Sequence, residues 1–431
     1  MNLSSLRKKV GNFIAGEETG NSSRPDSGTY SDKNHTPLPV DPYLYAGLRY
    51  EYCFNTIEVL TVGESTRGLT GTKTVVSSDI TSKYGELSSP YSQGFLLVDF
   101  NNVPGIGKIG WNSSESPFQA IFSRPLGIQV QHSWQLLVVK SSIRTSEHAG
   151  IMDQMSGRSH EVANKSEILA AIAQQAGRGG RIVCIEHTGQ KRTSGMTKNL
   201  LGGSDETGCD VFFNMPMHEN PILYTYQLVN VPVKVMMFGP GQLVKVSCDW
   251  MKHFNVYLQQ GWRLAEIFWD QGKRSHGDFT FSGDHNSVWF FEKEKARLND
   301  PTPVYHGTII EYKHTVKIGF FQTKAKGDWA PMISEMGRRG WELACMLETP
   351  EVTNVGLGTI TYKVLFFFQR KIVFVQSQQG LCQPPPFPSS GAQGHFTQYP
   401  PYAGAPAQGP PPPYSANDRP QPSAPFFPEK H

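Results

Sequence analysis

The sequence predicts an α+β fold of tandem βαββ repeats, about four of them, with antiparallel sheets covered by helices, plus a disordered N-terminal linker and a disordered Pro-rich C-terminal tail. Two observations predict the repeat. The phrase Asp249-Trp250, ten residues, then Gly261-Trp262-Arg263-Leu264 returns 79 residues later as Asp328-Trp329, ten residues, then Gly340-Trp341-Glu342-Leu343. Weaker copies precede it, Ile168, Leu169, Ile172 and Ala176 leading to Gly180, and Ile80, Tyr84 and Leu87 leading to Gly94. Near-equal spacing of one phrase is the signature of internal duplication. The third observation is compositional: apolar and aromatic residues fill positions 46–374 and give way to Ser, Gly and Pro at both ends.

Residues 1–15 place Leu3, Leu6, Val10, Phe13 and Ile14 on one helical face beside Arg7, Lys8 and Lys9. Such a segment is suited to weak, reversible contact with an anionic membrane surface; the same pattern also suits a helix docked on the body. Asn at position 2 excludes N-myristoylation of this start. Residues 16–45 carry little to bury and are expected to be a disordered linker.

Unit 1 (46–128) opens on the strand Tyr50–Phe54, passes through a poor helix near Ile80–Leu87, and closes on Phe118–Arg124. Its Gly105-Ile-Gly-Lys-Ile-Gly110 matches GxGxxG but opens no apolar helix, so a hairpin loop is expected there and not a dinucleotide site. Unit 2 (129–220) runs from Ser133–Lys140 to Asp210–Asn214, with polar inserts near Ser142–His160 and His187–Gly208 read as exposed loops. Its Gly177-Arg-Gly-Gly-Arg181 run ends a helix and is read as a C-cap, since a phosphate site would begin one. Unit 3 (221–300) runs from Leu223–Leu228 through the Asp249 helix to Val288–Glu292. Unit 4 (301–374) runs from Thr308–Tyr312 through the Asp328 helix to Tyr362–Arg370. Asp328 is placed to cap its helix, and Gly340, eleven residues beyond Trp329, to end it. A unit this small buries too little surface alone, so neighbours are expected to pair as pseudo-dimers.

A formal charge of +3 on a chain of 48.0 kDa does not point to nucleic acid. The six cysteines form no CxxC pair or zinc-type cluster, so free thiols are expected, with no metal and no cofactor. No apolar run approaches the ~20 residues of a membrane-spanning helix. Motifs for a nucleophile elbow, a zinc protease or a phosphate-binding loop are missing, and the histidines are scattered, mostly in expected loops. Glu342 of the fourth unit is Arg263 in the third, which speaks against a catalytic carboxylate at that place. No catalytic residue is assigned.

The tail, residues 375–431, is expected to be disordered with polyproline character, since positions 384–431 hold 15 of the 31 prolines. Pro411, Pro412, Pro413 and Tyr414 form a PPxY peptide, the ligand type of WW domains, including those of HECT-type ubiquitin ligases. Pro422, Ser423, Ala424 and Pro425 form a PSAP peptide, the ligand type of the ESCRT-I UEV domain.

Five phrases of the body resemble the raftlin family: Tyr50-Glu-Tyr-Cys-Phe54, Gln93-Gly-Phe95, Asp249-Trp-Met-Lys-His253, Val288-Trp-Phe-Phe-Glu292, and Gly340–Pro350 leading to Phe367-Phe-Gln-Arg370. The resemblance covers about residues 46–372 and implies a non-enzymatic protein at the cytoplasmic side of the plasma membrane and endosomes. It also implies association with lipid rafts and support of receptor signalling and endocytic uptake. The initial Gly-Cys that carries acyl chains in raftlins is not found here, so segment 1–15 is expected to substitute for it. The tail peptides are not something the resemblance supplies. The expectation is thus a cytoplasmic, membrane-peripheral adaptor that recruits WW-domain proteins and ESCRT-I through its tail. The rival readings are a small-molecule or enzymatic site between paired units, opposed by filled inter-unit cores, and a self-assembling scaffold.

Overall fold

The computed structural model describes residues 45–373, apart from 69–70, 110–112, 129–132, 149–159, 194–203, 239–242, 275–281, 320–321 and 355–357. Four stretches follow one another. The first holds β1 (Tyr50–Gly68), β2 (Gly71–Ser78), α1 (Ile80–Lys83) continued as a 3₁₀ segment (Tyr84–Gln93), β3 (Leu96–Asn102), β4 (Gly107–Ile109) and β5 (Ser113–Pro125). The second holds β6 (Trp134–Val139), β7 (Ser142–His148), β8 (His160–Asn164), α2 (Ser166–Ala176), β9 (Arg181–Thr193) and β10 (Ser204–Pro216). The third holds β11 (Tyr224–Phe238), β12 (Leu243–Ser247), α3 (Trp250–Leu258), β13 (Arg263–Arg274) and β14 (Ser282–Glu294). The fourth holds β15 (Tyr305–Ile318), β16 (Gln322–Ala325), α4 (Ala330–Arg338), β17 (Glu342–Asn354) and β18 (Thr359–Lys371).

In each stretch the opening strand lies beside the closing strand, which lies beside the strand after the helix: β1-β5-β3, β6-β10-β9, β11-β14-β13 and β15-β18-β17, all antiparallel. The expected order βαββ lacks one element, because a further strand precedes each helix and crosses to the neighbouring stretch. β2 pairs with β9, β8 with β13, β12 with β17, and β16 returns to β4. The last pairing joins the end of the folded chain to its start. The two polar inserts read as loops are partly strand for the same reason: β7, β8 and the far ends of β9 and β10 occupy them, and their Ser and Thr content suits an exposed strand face.

Among the described residues four large apolar cores alternate with the sheets, and a smaller one gathers Val316, Ile360 and Tyr362. The helix of the first stretch (Ile80, Leu87, Tyr91) lies between its own sheet (Val59, Phe118, Phe122) and the second sheet (Cys184, Phe212). Helix α2 (Ile168, Ile172) lies between its own sheet (Val211, Phe213) and the third (Phe268, Phe290). Helix α3 (Trp250, Phe254, Leu258) lies between the third sheet (Trp289, Phe291) and the fourth (Leu365, Phe367). Helix α4 (Trp329, Ile333, Met336) lies between the fourth sheet (Phe366, Phe368) and the first (Phe54, Ile121). The expectation of one covered face and pairwise pseudo-dimers therefore gives way to a closed ring in which every helix serves two sheets. The runs Val364–Phe368, Val288–Phe291 and Ala120–Phe122 are buried residue after residue, which a sheet wet on one side does not allow.

At the turn after each helix a glycine takes a left-handed conformation: Gly94 (φ 79), Gly179 (φ 81), Gly261 (φ 79) and Gly340 (φ 81). In the second stretch this is Gly179 and not the expected Gly180. The linker to the next stretch crosses it, and a Cβ there would lie 2.4 Å from Pro221. Gly179→Ala is expected to cost about 1–3 kcal/mol, and Gly177→Ala, at an ordinary helical φ of −64, much less. Urea midpoints of the two variants check this.

Behind three of these glycines an aromatic ring lies under a cation of the closing strand. Arg124 is 4.3 Å from Phe95, Lys293 5.6 Å from Trp262 and Arg370 4.5 Å from Trp341. The same cations donate to carbonyls where the helix ends, Gln93 (2.7 Å), Gln260 (2.8 Å) and Arg339 (3.4 Å). Each corner so combines cation–π attraction with charge at a helix C-terminus. Asp249 caps α3 through Lys252 N–H (3.2 Å), whereas Asp328 accepts from Ala330 N–H (2.9 Å) just ahead of α4. His314, grouped with the loop histidines by sequence, is buried in β15 against Trp329 (4.9 Å), and burial pushes its pKa down to about 4.

Candidate functional site

The strands after the helices, β3, β9, β13 and β17, pack around one axis. In β3, β13 and β17 a bulge inserts one residue four positions after the glycine, at Val98, Ala265 and Ala344, and β9 has its bulge between Ile182 and Ile185. A bulge re-aims the side chain that follows it. Counted from the left-handed glycine, the fifth residue is Asp99, Cys184, Glu266 and Cys345 in turn, acid and thiol alternating.

Each of these side chains meets the backbone of a neighbouring stretch in the ring. Met346 N–H donates to Asp99 (2.7 Å), and the Cys184 thiol donates to the Phe100 carbonyl (3.9 Å). Ile185 N–H donates to Glu266 (3.3 Å), and Cys345 sulfur meets the Ile267 N–H. Asp99 and Glu266 also accept from the N–H groups of Phe100 (2.8 Å) and Ile267 (2.6 Å). Burial pushes the Asp99 carboxyl up to about 7 against those hydrogen bonds. Burial and then the nearby Asp99 hold Glu266 well above the carboxylate range, and Glu186 likewise. Burial also holds the thiols of Cys184 and Cys345 high, so neither presents the thiolate that nucleophilic or metal chemistry needs. Among the described residues no group of three or more His, Cys, Asp or Glu side chains is arranged to hold a metal ion.

A second polar group lies at the corner end of the ring. Glu292, 1% exposed, takes both Arg181 and Arg263 (2.7 Å), and accepts from Tyr226 OH (3.2 Å). Arg263 also pairs with Glu342 (2.7 Å). The exchange of Glu342 for Arg263 between the two best copies is thereby explained: the two occupy matching places and form an ion pair with each other. Tyr52 OH accepts from Leu343 N–H (2.8 Å), Tyr226 OH from Ile182 N–H (2.9 Å), and Gln369 from Leu264 N–H (3.1 Å), each tying one stretch to its neighbour.

Of these polar groups the sequence comparison points to Arg263 and Glu342 alone; Asp99, Glu266 and Cys345 share an offset of five from Gly94, Gly261 and Gly340, and aligning on Gly179 in place of Gly180 adds Cys184 to that set. The residues that were singled out, Leu3, Leu6, Arg7, Lys8, Lys9, Val10, Phe13 and Ile14 at the N-terminus and Pro411, Pro412, Tyr414, Pro422, Ser423, Ala424 and Pro425 in the tail, lie outside the described residues. The first and last described stretches of the chain lie side by side. Tyr45 OH donates to the Lys371 carbonyl (3.0 Å), and the Tyr45 ring lies 4.5 Å from the Arg370 guanidinium, itself over Trp341. Among the described residues no helix is long and apolar enough to cross a membrane.

A family model described as Raftlin matches residues 129–383. Among curated proteins the chain is 26% identical over 159 residues to Raftlin of Mus musculus, covering 37% of this chain and 27% of that protein. It is 23% identical over 197 residues to Raftlin-2 of Homo sapiens, covering 45% of this chain and 37% of that protein. The chain spans about a quarter to two fifths of the length of the curated relatives it matches. No solved structure matches it.

Proposed function

Because the chain belongs to the raftlin family, we propose that it is a non-enzymatic, membrane-associated adaptor of lipid rafts, acting in receptor signalling and endocytic or endosomal trafficking. In this reading four copies of one unit (46–128, 129–220, 221–300, 301–374), each ββαββ, make a rigid ring that serves as platform. The protein is cytoplasmic and peripheral at plasma membrane and endosomes. Segment 1–15 supplies weak contact with anionic membrane, and the tail recruits WW-domain ubiquitin ligases and the ESCRT-I UEV domain.

The observation that carries the platform reading is how the axial polar groups are used. Asp99, Cys184, Glu266 and Cys345 are spent on the backbone of a neighbouring stretch, and the spaces between sheets are filled by Trp and Phe. An enzyme reading needs such groups turned toward a substrate. The tail is tested by pull-down of WW and UEV domains with the intact chain and with Tyr414→Ala and Pro422→Ala. Loss of WW recovery in the first variant and of UEV recovery in the second is expected; equal recovery from all three ends the recruitment reading.

A further inference from the structure

The ring has two ends of different character. At one end the hairpins turn, between Gly68 and Gly71, Phe238 and Leu243, Arg274 and Ser282, and Asn354 and Thr359. At the other lie the left-handed glycines, the linkers between stretches, and both chain exits at Tyr45 and Val373.

Exposed large apolar side chains collect at this second end. Leu48, Leu126, Ile128, Met217, Ile222 and Leu298 are between 42% and 56% exposed. Val373, at 42%, sits where the tail departs. Backbone hydrogen bonds fix their place. Leu126 N–H donates to Arg49 (2.8 Å), Met217 N–H to Ser133 (2.8 Å), Lys295 N–H to Leu223 (2.8 Å) and Ile372 N–H to Val304 (2.8 Å), so each linker is held at the end of its sheet. The other exposed large apolar residues among those described, Leu60, Leu169, Leu228 and Val256, lie along strands or helices. A monomer scatters such residues singly, and a set confined to one end marks an interaction surface.

Cations stand among them: Lys295 and Lys371 are exposed at the same end, as is Arg338, which is paired with Glu335. Acids there include Glu219 and Glu294, together with Glu51, Asp300 and Glu335, which are paired with Arg124, Arg297 and Arg338. Apolar tips amid cations suit the headgroup boundary of a bilayer, where the tips enter the acyl region and the cations meet anionic lipid. The described chain begins at this end as well, at Tyr45.

We propose that the linker end of the ring is a second membrane-contact surface, which lays the body end-on against an anionic phospholipid bilayer. The inference rests on the membrane-associated reading above but not on segment 1–15. In it the four linkers insert at their tips, the hairpin end faces away from the membrane, and the tail begins at the membrane surface, so partners it recruits are held there.

The test is co-sedimentation of the full chain with phosphatidylcholine vesicles containing or lacking phosphatidylserine. Four proteins are compared: unaltered, Ile128→Glu/Ile222→Glu, Leu6→Glu/Phe13→Glu, and all four substitutions together. Ile128 and Ile222 are half exposed, so their variants are expected to keep the urea midpoint, which is measured alongside. The expected result is a drop of at least tenfold in the partition coefficient for Ile128→Glu/Ile222→Glu, with or without the N-terminal changes, and tighter binding when phosphatidylserine is present. Full loss from Leu6→Glu/Phe13→Glu with none from Ile128→Glu/Ile222→Glu overturns this surface and leaves the N-terminal anchor standing. The reverse pattern upholds the surface and removes the anchor. No vesicle binding by the unaltered chain overturns both, and a face used for a protein partner reads out as partition unchanged by Ile128→Glu/Ile222→Glu.

Discussion

Glu292→Ala is expected to lower the unfolding free energy by about 3–5 kcal/mol, the cost of breaking a buried ion pair and leaving Arg181 without its counter-charge. Glu292 is shared by Arg181 of the second stretch and Arg263 of the third, with Arg263 passed on to Glu342 of the fourth. Alanine leaves two guanidinium groups facing each other across a protein-lined gap, and the Tyr226 hydroxyl loses an acceptor. Glu292→Gln keeps hydrogen-bond capacity and loses the charge, so it is expected to fall between. Burial alone would raise the Glu292 pKa, but Arg181 and Arg263 outweigh it and hold the carboxyl below its usual range. A depressed folded pKa means that this stability is present above the unfolded value and is lost as pH falls through the folded one. Urea titrations of wild type and variant are therefore expected to differ fully at neutral pH and to converge in acid, below about pH 4.

Asp99→Ala carries the second large effect, with the opposite pH dependence. Asp99 is 1% exposed and accepts from Met346 N–H, Phe100 N–H and the Asn101 amide. Alanine leaves buried donors unanswered at a cost of about 1–3 kcal/mol each, roughly 3–5 kcal/mol together. With the Asp99 carboxyl pushed up to about 7 from an ordinary 3.8, the folded chain holds a proton that the unfolded chain releases. The stability linked to that proton is fully present below the unfolded value and is lost as pH rises through about 7. Wild type is thus expected to lose up to about 1.4 kcal/mol per pH unit from this group inside that window, a slope that disappears in Asp99→Ala. Glu266 is raised in the same sense, by burial first and by Asp99 second, so its own contribution shrinks in Asp99→Ala but does not vanish. Urea midpoints at pH 5 and pH 8 for both proteins check the sign: equal slopes would show that Asp99 does not titrate there.

The local pieces were legible in the chain, because their causes are local. A left-handed glycine followed by Trp341 or Trp262, an aspartate ahead of the helix, and alternation of apolar residues all act within one or two turns of chain. The strands Phe118–Arg124, Asp210–Asn214, Val288–Glu292 and Tyr362–Arg370 stand where periodicity puts them, inside β5, β10, β14 and β18. Of the three cysteines set in apolar patterns, Cys184 and Cys345 are buried free thiols and Cys248 is half-buried.

Which surfaces meet is fixed only by packing. Continuous burial along Val364–Phe368 shows that both faces of a sheet are covered but not by what, and a helix shared by two sheets leaves the same periodicity as a helix on one. Closure is the clearest case. The pairing of β16 with β4 joins residues more than two hundred positions apart, and the axial meeting of Asp99 with Met346 does the same. Neither leaves a trace in any window of sequence. Those contacts exist because four units bend through a full circle, and the bend is set by packing between units, a property that belongs to none of them alone.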